Sequence, residues 1–130
     1  MYFQPESIGM LNLDTHILLF ALDDAVTAAE RKLLASEPWG VSAIVQWELA
    51  KLGQLGRIAL DIRSAEFKKV FARVHVWPLD LAVCTKSTEL DFSSDPADEL
   101  IAATSIVYNV PLMTRDRKIL KSKLVPFAQI

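Results

Sequence analysis

Short apolar runs alternate along this chain with longer segments in which apolar residues recur every three or four positions. The short runs predict strands at about residues 11–13, 39–41, 75–77 and 110–113, with 124–127 as a candidate last strand. The longer periodicity predicts helices at about residues 16–22, 26–36, 43–55, 64–74, 81–90 and 96–108, and a short helix after Asp116. Strands separated by helices indicate an α/β fold, in which a mostly parallel sheet has helices on both faces.

The chain length of 130 residues is that of one domain, so we expect residues 1–130 to fold as a single unit. Residues 1–9 are expected to form a loosely ordered extension before the first strand. In parallel α/β sheets, ligands bind outside the carboxyl ends of the strands. Asp14 and Asp116 closely follow two of the predicted strands, and we therefore expect both side chains at this edge.

Two further acidic residues are candidates for the same edge. Glu48 shares a helix face with the apolar residues Ile44 and Leu52, and a carboxylate in such a place is costly unless it is paired or binds a metal. Asp98 lies in the first turn of the 96–108 helix, on the same face as Ile101. Carboxylates gathered at one place repel each other, and a divalent cation removes that repulsion.

Each of these acids also has an ordinary structural interpretation. Asp14 and Asp116 are well placed to cap the helices that follow them. Asp98 is favoured by the dipole of its own helix. For Glu48 the ordinary alternative is weaker than for the other acids, and it is a salt bridge to a Lys or Arg or a position at the edge of the apolar stripe. Asp95, which is followed by proline, is interpreted as the cap of the 96–108 helix rather than as part of a site.

Composition and charge limit the classes of function only slightly. The net charge of −2 gives no overall signal for nucleic acid. Residues 111–130 nevertheless hold five basic residues against one acid, which predicts either a solvated helix face or a phosphate-binding patch. The single cysteine, Cys84, excludes an internal disulfide, and His16 and His75 are interpreted as structural residues. No apolar run has the roughly 18 residues of a membrane span, and we expect a cytoplasmic protein.

Four short motifs follow one another along the chain: LNLDTH at 11–16, SAIVQWEL at 42–49, DPADELIAAT at 95–104 and PLMTRD at 111–116. In this order and at these spacings they resemble the PIN domain, and more narrowly the VapC-type toxins of bacterial toxin–antitoxin pairs. Each motif alone is weak, but the four together are specific. The resemblance extends over about residues 10–127.

The resemblance implies a three-layer α/β/α sandwich with a central, mostly parallel sheet of four or five strands. It implies a metal-dependent endoribonuclease, which uses Mg²⁺ or Mn²⁺ to hydrolyse RNA phosphodiester bonds as the toxin of a toxin–antitoxin pair. Thr114 corresponds to a supporting polar group of the family. The catalytic and metal-binding acids of the family correspond to Asp14, Glu48, Asp98 and Asp116.

The resemblance also implies binding partners, which are RNA, a small antitoxin protein and a second copy of the chain. We expect Arg115, Arg117 and Lys118 to hold the RNA backbone. The sequence departs from the family at two positions. Ser94 stands where many relatives have His, and Glu99 stands where many have Arg. Neither departure removes a predicted metal ligand, although the extra negative charge of Glu99 is expected to affect the approach of RNA or of the antitoxin.

Two functions from other classes stay open. The first is a non-catalytic module that keeps the PIN fold and binds a partner protein, and retention of all four acids argues against it. The second is a receiver-type phosphoacceptor domain, which has a similar length and an acidic pocket. Such a domain needs paired acids after the first strand, where this chain has only Asp14, and Asp80 is better explained as a helix cap.

Overall fold

The computed structural model describes residues 9–130, and within them the chain forms four strands and seven helices. The strands are β1 (Leu11–Leu13), β2 (Trp39–Ser42), β3 (His75–Trp77) and β4 (Leu112–Met113). The helices are α1 (Thr15–Leu22), α2 (Ala28–Ser36), α3 (Ala43–Gln54), α4 (Ala65–Phe71), α5 (Leu81–Lys86), α6 (Pro96–Tyr108) and α7 (Arg117–Leu120). The predicted extension at residues 1–9 lies, except for Gly9, outside the described residues.

All strand pairs in the sheet are parallel, and the strand order is β3-β2-β1-β4. The chain therefore builds the sheet from β1 towards β3 and then returns to place β4 on the other side of β1. Ligands of open parallel sheets bind where the strand order reverses in this way, which here is between β1 and β4. A receiver-type domain has the order 2-1-3-4-5, so the observed order argues against that alternative.

The predicted α/β fold with a parallel sheet and flanking helices is confirmed, but the last predicted strand is not formed as an element. Residues 124–127 contribute a single bridge, between Phe127 and Leu112. Pro126 accepts a hydrogen bond from the Leu112 N–H at 2.8 Å, but it has no N–H of its own with which to extend the ladder. The Ser122 hydroxyl oxygen accepts the N–H of Val125, which turns the chain just before this point.

Side-chain hydrogen bonds explain two helices that are shorter than predicted. Thr27 caps α2 through its hydroxyl and forms a capping box with Glu30, so the helix begins after Thr27 rather than at residue 26. Helix α5 ends at Lys86 instead of residue 90. There the hydroxyls of Ser87 and Thr88 each donate to a backbone carbonyl three residues earlier, at 2.7 Å. No helix within residues 9–130 is both long enough and apolar enough to cross a membrane.

The core lies where β1 and β4 meet the helices α1, α3 and α6. Its side chains include Leu11, Leu13, Ile17, Leu18, Val45, Leu49, Ile101, Leu112, Met113 and Ile119, each at most 1 % exposed. Helix α6 is buried continuously from Ile101 to Ser105. It ends at Asn109, which adopts a left-handed conformation with φ of 53°. This packing fixes the first turn of α6 against the carboxyl edge of the sheet.

A bidentate ion pair anchors the segment that follows β4. Arg115 Nε donates to Glu30 Oε2 at 2.8 Å, and Nη2 of the same guanidinium donates to Oε1 at 2.6 Å. The guanidinium carbon also lies 4.2 Å from the centre of the Phe20 ring. The hydrogen bonds from Arg115 lower the pKa of Glu30 from 4.5 to about 2. The pair therefore ties the start of α2 to the segment after β4.

We expect the free energy of unfolding to decrease as the pH falls from about 4.5 to about 2. In this range the unfolded chain binds a proton at Glu30 and the folded chain does not, so acid favours unfolding. The contribution of the pair, about 1–3 kcal/mol, is complete above this range and lost below it. Urea unfolding of the Glu30→Gln variant at several pH values should show this part of the pH dependence removed. Glu66→Gln, an exposed change on α4, is the control, and an equal effect there would contradict the assignment.

The indole of Trp77 packs directly on the backbone of β2 at Gly40. A Cβ atom placed on Gly40 would lie 2.5 Å from two ring carbons of Trp77 and 3.3 Å from the sulfur of Met10. Trp77 is itself buried, so its ring has little freedom to move away. Glycine at this position therefore permits the close packing of Trp77 against the sheet.

We expect Gly40→Ala to destabilise the protein by about 1–3 kcal/mol, because the added methyl group overpacks the site. Gly53→Ala is the matched control, since a Cβ there meets only one carbonyl oxygen, at 3.8 Å. Gly53 lies within α3, where alanine is favoured by about 0.5–1 kcal/mol. Thermal unfolding of both variants should show opposite shifts of the midpoint, and an unchanged midpoint for Gly40→Ala would disprove the overpacking.

Candidate functional site

Asp14 lies at the carboxyl end of β1, next to the end of β4. It occupies the N-cap position of α1, but its side chain makes no capping hydrogen bond. Instead, Asp14 Oδ2 accepts a hydrogen bond of 2.6 Å from the hydroxyl of Thr114, the residue directly after β4. Both side chains are buried. The capping interpretation of Asp14 is therefore wrong for its side chain, which joins the two strands at the switch point of the sheet.

Glu48 reaches the same region from α3. Its Oε1 accepts a hydrogen bond from the hydroxyl of Thr15, which is the first residue of α1 and directly follows Asp14. Within residues 9–130, Glu48 forms no salt bridge with a Lys or Arg side chain. The alternative interpretation of Glu48 as half of a salt bridge therefore finds no support among the described residues.

Asp98 approaches from the first turn of α6. Its Oδ2 accepts a hydrogen bond of 2.8 Å from the hydroxyl of Ser94, four residues earlier. The neighbouring Glu99 turns back to the same residue, and its Oε2 accepts the Ser94 N–H at 3.1 Å. Asp95 occupies the predicted N-cap position, but its side chain makes no capping hydrogen bond. Ser94 thus donates hydrogen bonds to both acids of the first turn, and its hydroxyl orients Asp98.

The charges of these acids act on one another. Burial raises the pKa of Asp14, the hydrogen bond from Thr114 opposes this effect, and the charge of Asp98 adds to it. Burial likewise raises the pKa of Glu48, and the charges of Asp98 and Asp14 raise it further. The nearby cationic form of His16 opposes both increases. Asp14, Glu48 and Asp98 are therefore close enough for their charges to interact, and no described Lys or Arg forms a salt bridge with any of them.

Asp116 is connected to this region through Thr114 rather than by its own carboxylate. The Asp116 N–H donates to the Thr114 hydroxyl oxygen at 3.1 Å. Its Oδ1 accepts the N–H of Lys118 at 2.8 Å and that of Ile119 at 3.4 Å, so the side chain caps α7. The capping interpretation is thus correct for Asp116, and its second function as a metal ligand stays a prediction.

The donor chemistry of the region is that of a site for a hard divalent cation, which binds carboxylate oxygens and water. Among residues 9–130, no three His, Cys, Asp or Glu side chains are grouped closely enough to hold one ion directly. Mg²⁺ usually keeps several of its waters and is bound by one or two carboxylates. Asp14 and Glu48 have raised pKa values and form no salt bridge with a described Lys or Arg, and they fit an ion that is held partly through water.

The sequence did not indicate three residues that shape the region. Thr15 was not singled out, although it directly follows Asp14 and its burial leaves the hydroxyl facing α3. Ser94 was noted only as a departure from the family, although its spacing of four residues before Asp98 suits a hydrogen bond. His16 was interpreted as structural, but its side chain is exposed beside the acids.

The basic residues after β4 differ in whether their charge is paired with an acid. Arg115 is held by Glu30 and by the Phe20 ring, as described above. Arg117 and Lys118 are exposed at the start of α7, and neither forms a salt bridge within the described part of the chain. RNA binding by Arg115, Arg117 and Lys118 stays a prediction, and the geometry favours the last two.

Three comparisons with known proteins agree with one another. The sequence model described as "PIN domain" matches residues 12–123. Ribonuclease VapC22 of Mycobacterium tuberculosis is 32 % identical over 96 residues, which are 71 % of this chain and 73 % of that protein.

The fold also resembles solved structures of low sequence identity. VapBC2 from Rickettsia felis, bound to a DNA fragment from its promoter, superposes with a TM-score of 0.70 at 17 % identity, covering 92 % of this chain and 97 % of that one. FitAcB from Neisseria gonorrhoeae gives 0.62 at 22 % identity with the same coverage. At such identities the likeness establishes the fold alone. The sequence-model match over most of the chain and the 32 % identity to VapC22 show that the protein belongs to the PIN domain family, in its VapC-like branch.

Proposed function

We propose that this protein is a metal-dependent endoribonuclease and acts as the toxin of a toxin–antitoxin pair on RNA in the cytoplasm. The observation that carries the proposal is that the buried carboxylate of Asp14 and the half-buried carboxylate of Glu48 have raised pKa values, to which the charge of Asp98 adds, and form no salt bridge with a described Lys or Arg. Such an arrangement is unfavourable in itself and becomes favourable once a cation binds. The name of the relative VapC22 supports ribonuclease activity.

Asp14 and Asp98, with Glu48, would hold Mg²⁺ or Mn²⁺ directly or through water, and Asp116 is the fourth proposed ligand. When bound, the ion lowers the pKa of a water molecule and neutralises charge on the phosphoryl oxygens. Thr114 donates to Asp14 Oδ2 and so fixes the direction of that carboxylate. Glu48 is fixed in the same way by Thr15, and it would help to hold the ion or to orient the attacking water.

The RNA backbone would approach along the start of α7. Arg117 and Lys118 directly follow Asp116, so a phosphate held there lies next to the acidic region. Exposed cations of this kind bind phosphates by releasing counterions, without reading the base sequence. Arg115 contributes less in this proposal, because Glu30 already neutralises its charge.

A small antitoxin and a second copy of the chain are the proposed protein partners. Several large apolar side chains are exposed, among them Leu81 at 83 % and Trp47 at 55 %, and a protein partner would cover such surface. One of the similar structures is described as a toxin–antitoxin complex from Klebsiella pneumoniae, with a TM-score of 0.66 and 17 % identity over 85 % of this chain. The non-catalytic binding module has no comparable observation in its favour.

We expect the purified protein to cleave RNA with Mg²⁺ or Mn²⁺ and to stop when EDTA is added. Asp98→Asn removes one charge of the acidic region and should lower the cleavage rate by at least about 100-fold. Asp95→Asn is the matched control, because Asp95 lies three residues away, is exposed and makes no capping bond. Full activity in EDTA or in Asp98→Asn would contradict the proposal. Tight binding to a partner without metal uptake would support the binding module.

A second experiment tests the proposed RNA path. Replacing Arg117 and Lys118 together by Ala should weaken binding of a single-stranded RNA and reduce the slope of log affinity against log salt by roughly 1.4, about 0.7 per charge. The double Ala variant of Lys68 and Lys69, two exposed cations of α4, is the control. The path is wrong if the slope changes equally in both variants, measured in EDTA so that the RNA stays intact.

A further inference from the structure

Asn12 is a fully buried amide in the middle of β1. Its Nδ2 donates two hydrogen bonds to α6, one of 3.1 Å to the backbone oxygen of Ile101 and one of 2.9 Å to the hydroxyl oxygen of Ser105. Both partners are more than 85 residues away in the sequence. These bonds therefore tie the central strand directly to the helix that carries Asp98.

The orientation of the Asn12 amide follows from its surroundings. The backbone oxygen of Ile101 can only accept, so the amide nitrogen rather than the oxygen must face it. The oxygen Oδ1 is then left buried without a hydrogen-bond partner, and no other buried side-chain atom of the described residues is in this position. The two hydrogen bonds to α6 are therefore the interactions that the structure assigns to this amide.

Strand β1 and helix α6 approach each other at two places, at Asn12 and at Asp14. Side chains alternate along a strand, so Asn12 and Asp14 lie on the same face of β1. Residues three and seven positions apart share a face of a helix, so Asp98 lies on the face of Ile101 and Ser105. At Asn12, hydrogen bonds join the two elements. Two residues further along the chain, the carboxylate of Asp14 is repelled by that of Asp98.

We propose that Asn12 is a positioning residue, which holds α6 so that Asp98 stays at a fixed distance from Asp14 and thereby sets the affinity of the site for a divalent cation. The inference rests on the proposed metal site. Without the tether, the repulsion between Asp14 and Asp98 moves the first turn of α6 away from β1, and the site loses its geometry for the ion. Groups that orient metal ligands commonly change metal affinity by 10–100-fold when they are removed.

The test uses the full chain and Mn²⁺ as the probe, with free Mn²⁺ measured by electron paramagnetic resonance. Asn12→Leu keeps the branched shape, removes both hydrogen bonds and also removes the unpartnered oxygen. We expect its Mn²⁺ affinity to fall by about tenfold while the unfolding midpoint without metal stays nearly unchanged. Ser105→Ala should show a smaller loss of affinity, because the bond to Ile101 remains. A purely structural role predicts the reverse pattern, which is a lower midpoint with unchanged affinity.

Thr104→Ala is the matched control. Thr104 is buried in the same helix, but its hydroxyl donates at 2.8 Å to the backbone oxygen of Leu100 within α6. Its Mn²⁺ affinity should equal that of the wild type. Unchanged affinity in Asn12→Leu, or an equal loss in Thr104→Ala, would overturn the inference and leave the proposed function standing. If Asn12→Leu does not fold, Ser105→Ala decides by the same comparison. A wild-type chain that neither binds Mn²⁺ nor cleaves RNA would remove the proposed function, and this inference with it.

Discussion

Repulsion between carboxylates at the carboxyl edge of the sheet is the constraint on which the rest of the site depends. Each of these acids is oriented by a hydroxyl group, which donates a hydrogen bond without cancelling the negative charge. The pairs are Thr114 with Asp14, Thr15 with Glu48, and Ser94 with Asp98. Where the same fold needs a carboxylate for stability alone, at Glu30, an arginine neutralises it. The hydroxyl partners thus orient these carboxylates and leave their charge in place.

The sheet order explains how acids from distant parts of the chain meet. Because β4 returns to the free side of β1, Thr114 comes next to Asp14 across 100 residues of sequence. Helices α3 and α6 pack on each other beside β1 and present one acid each, Glu48 and Asp98. The hydrogen bonds of Asn12 belong to the same arrangement, since they join α6 to the strand that Asp14 directly follows. The strand order therefore brings these residues near one another, and a few side-chain hydrogen bonds fix their positions.

The sequence predicted the parts of this arrangement that are local. Strand ends located Asp14, and helical periodicity placed Glu48 on a face that a charge would otherwise avoid. The Asp95-Pro96 pair located the start of α6, although Ser94 rather than Asp95 makes the side-chain bonds there. The long-range partners could not be predicted, because they depend on which helices the strand order brings together. The bond from Thr15 to Glu48 spans 33 residues, and no periodicity within either helix indicates it.

The three residues that follow β4 are each held by side-chain hydrogen bonds. Thr114 donates to Asp14, Arg115 pairs with Glu30, and Asp116 caps α7, so three successive side chains are anchored to three different elements. Arg115 was expected to bind RNA, but its position between Thr114 and Asp116 makes it suited to hold them in register. The pair with Glu30 therefore helps to hold this segment in place, and RNA binding by Arg115 stays a prediction.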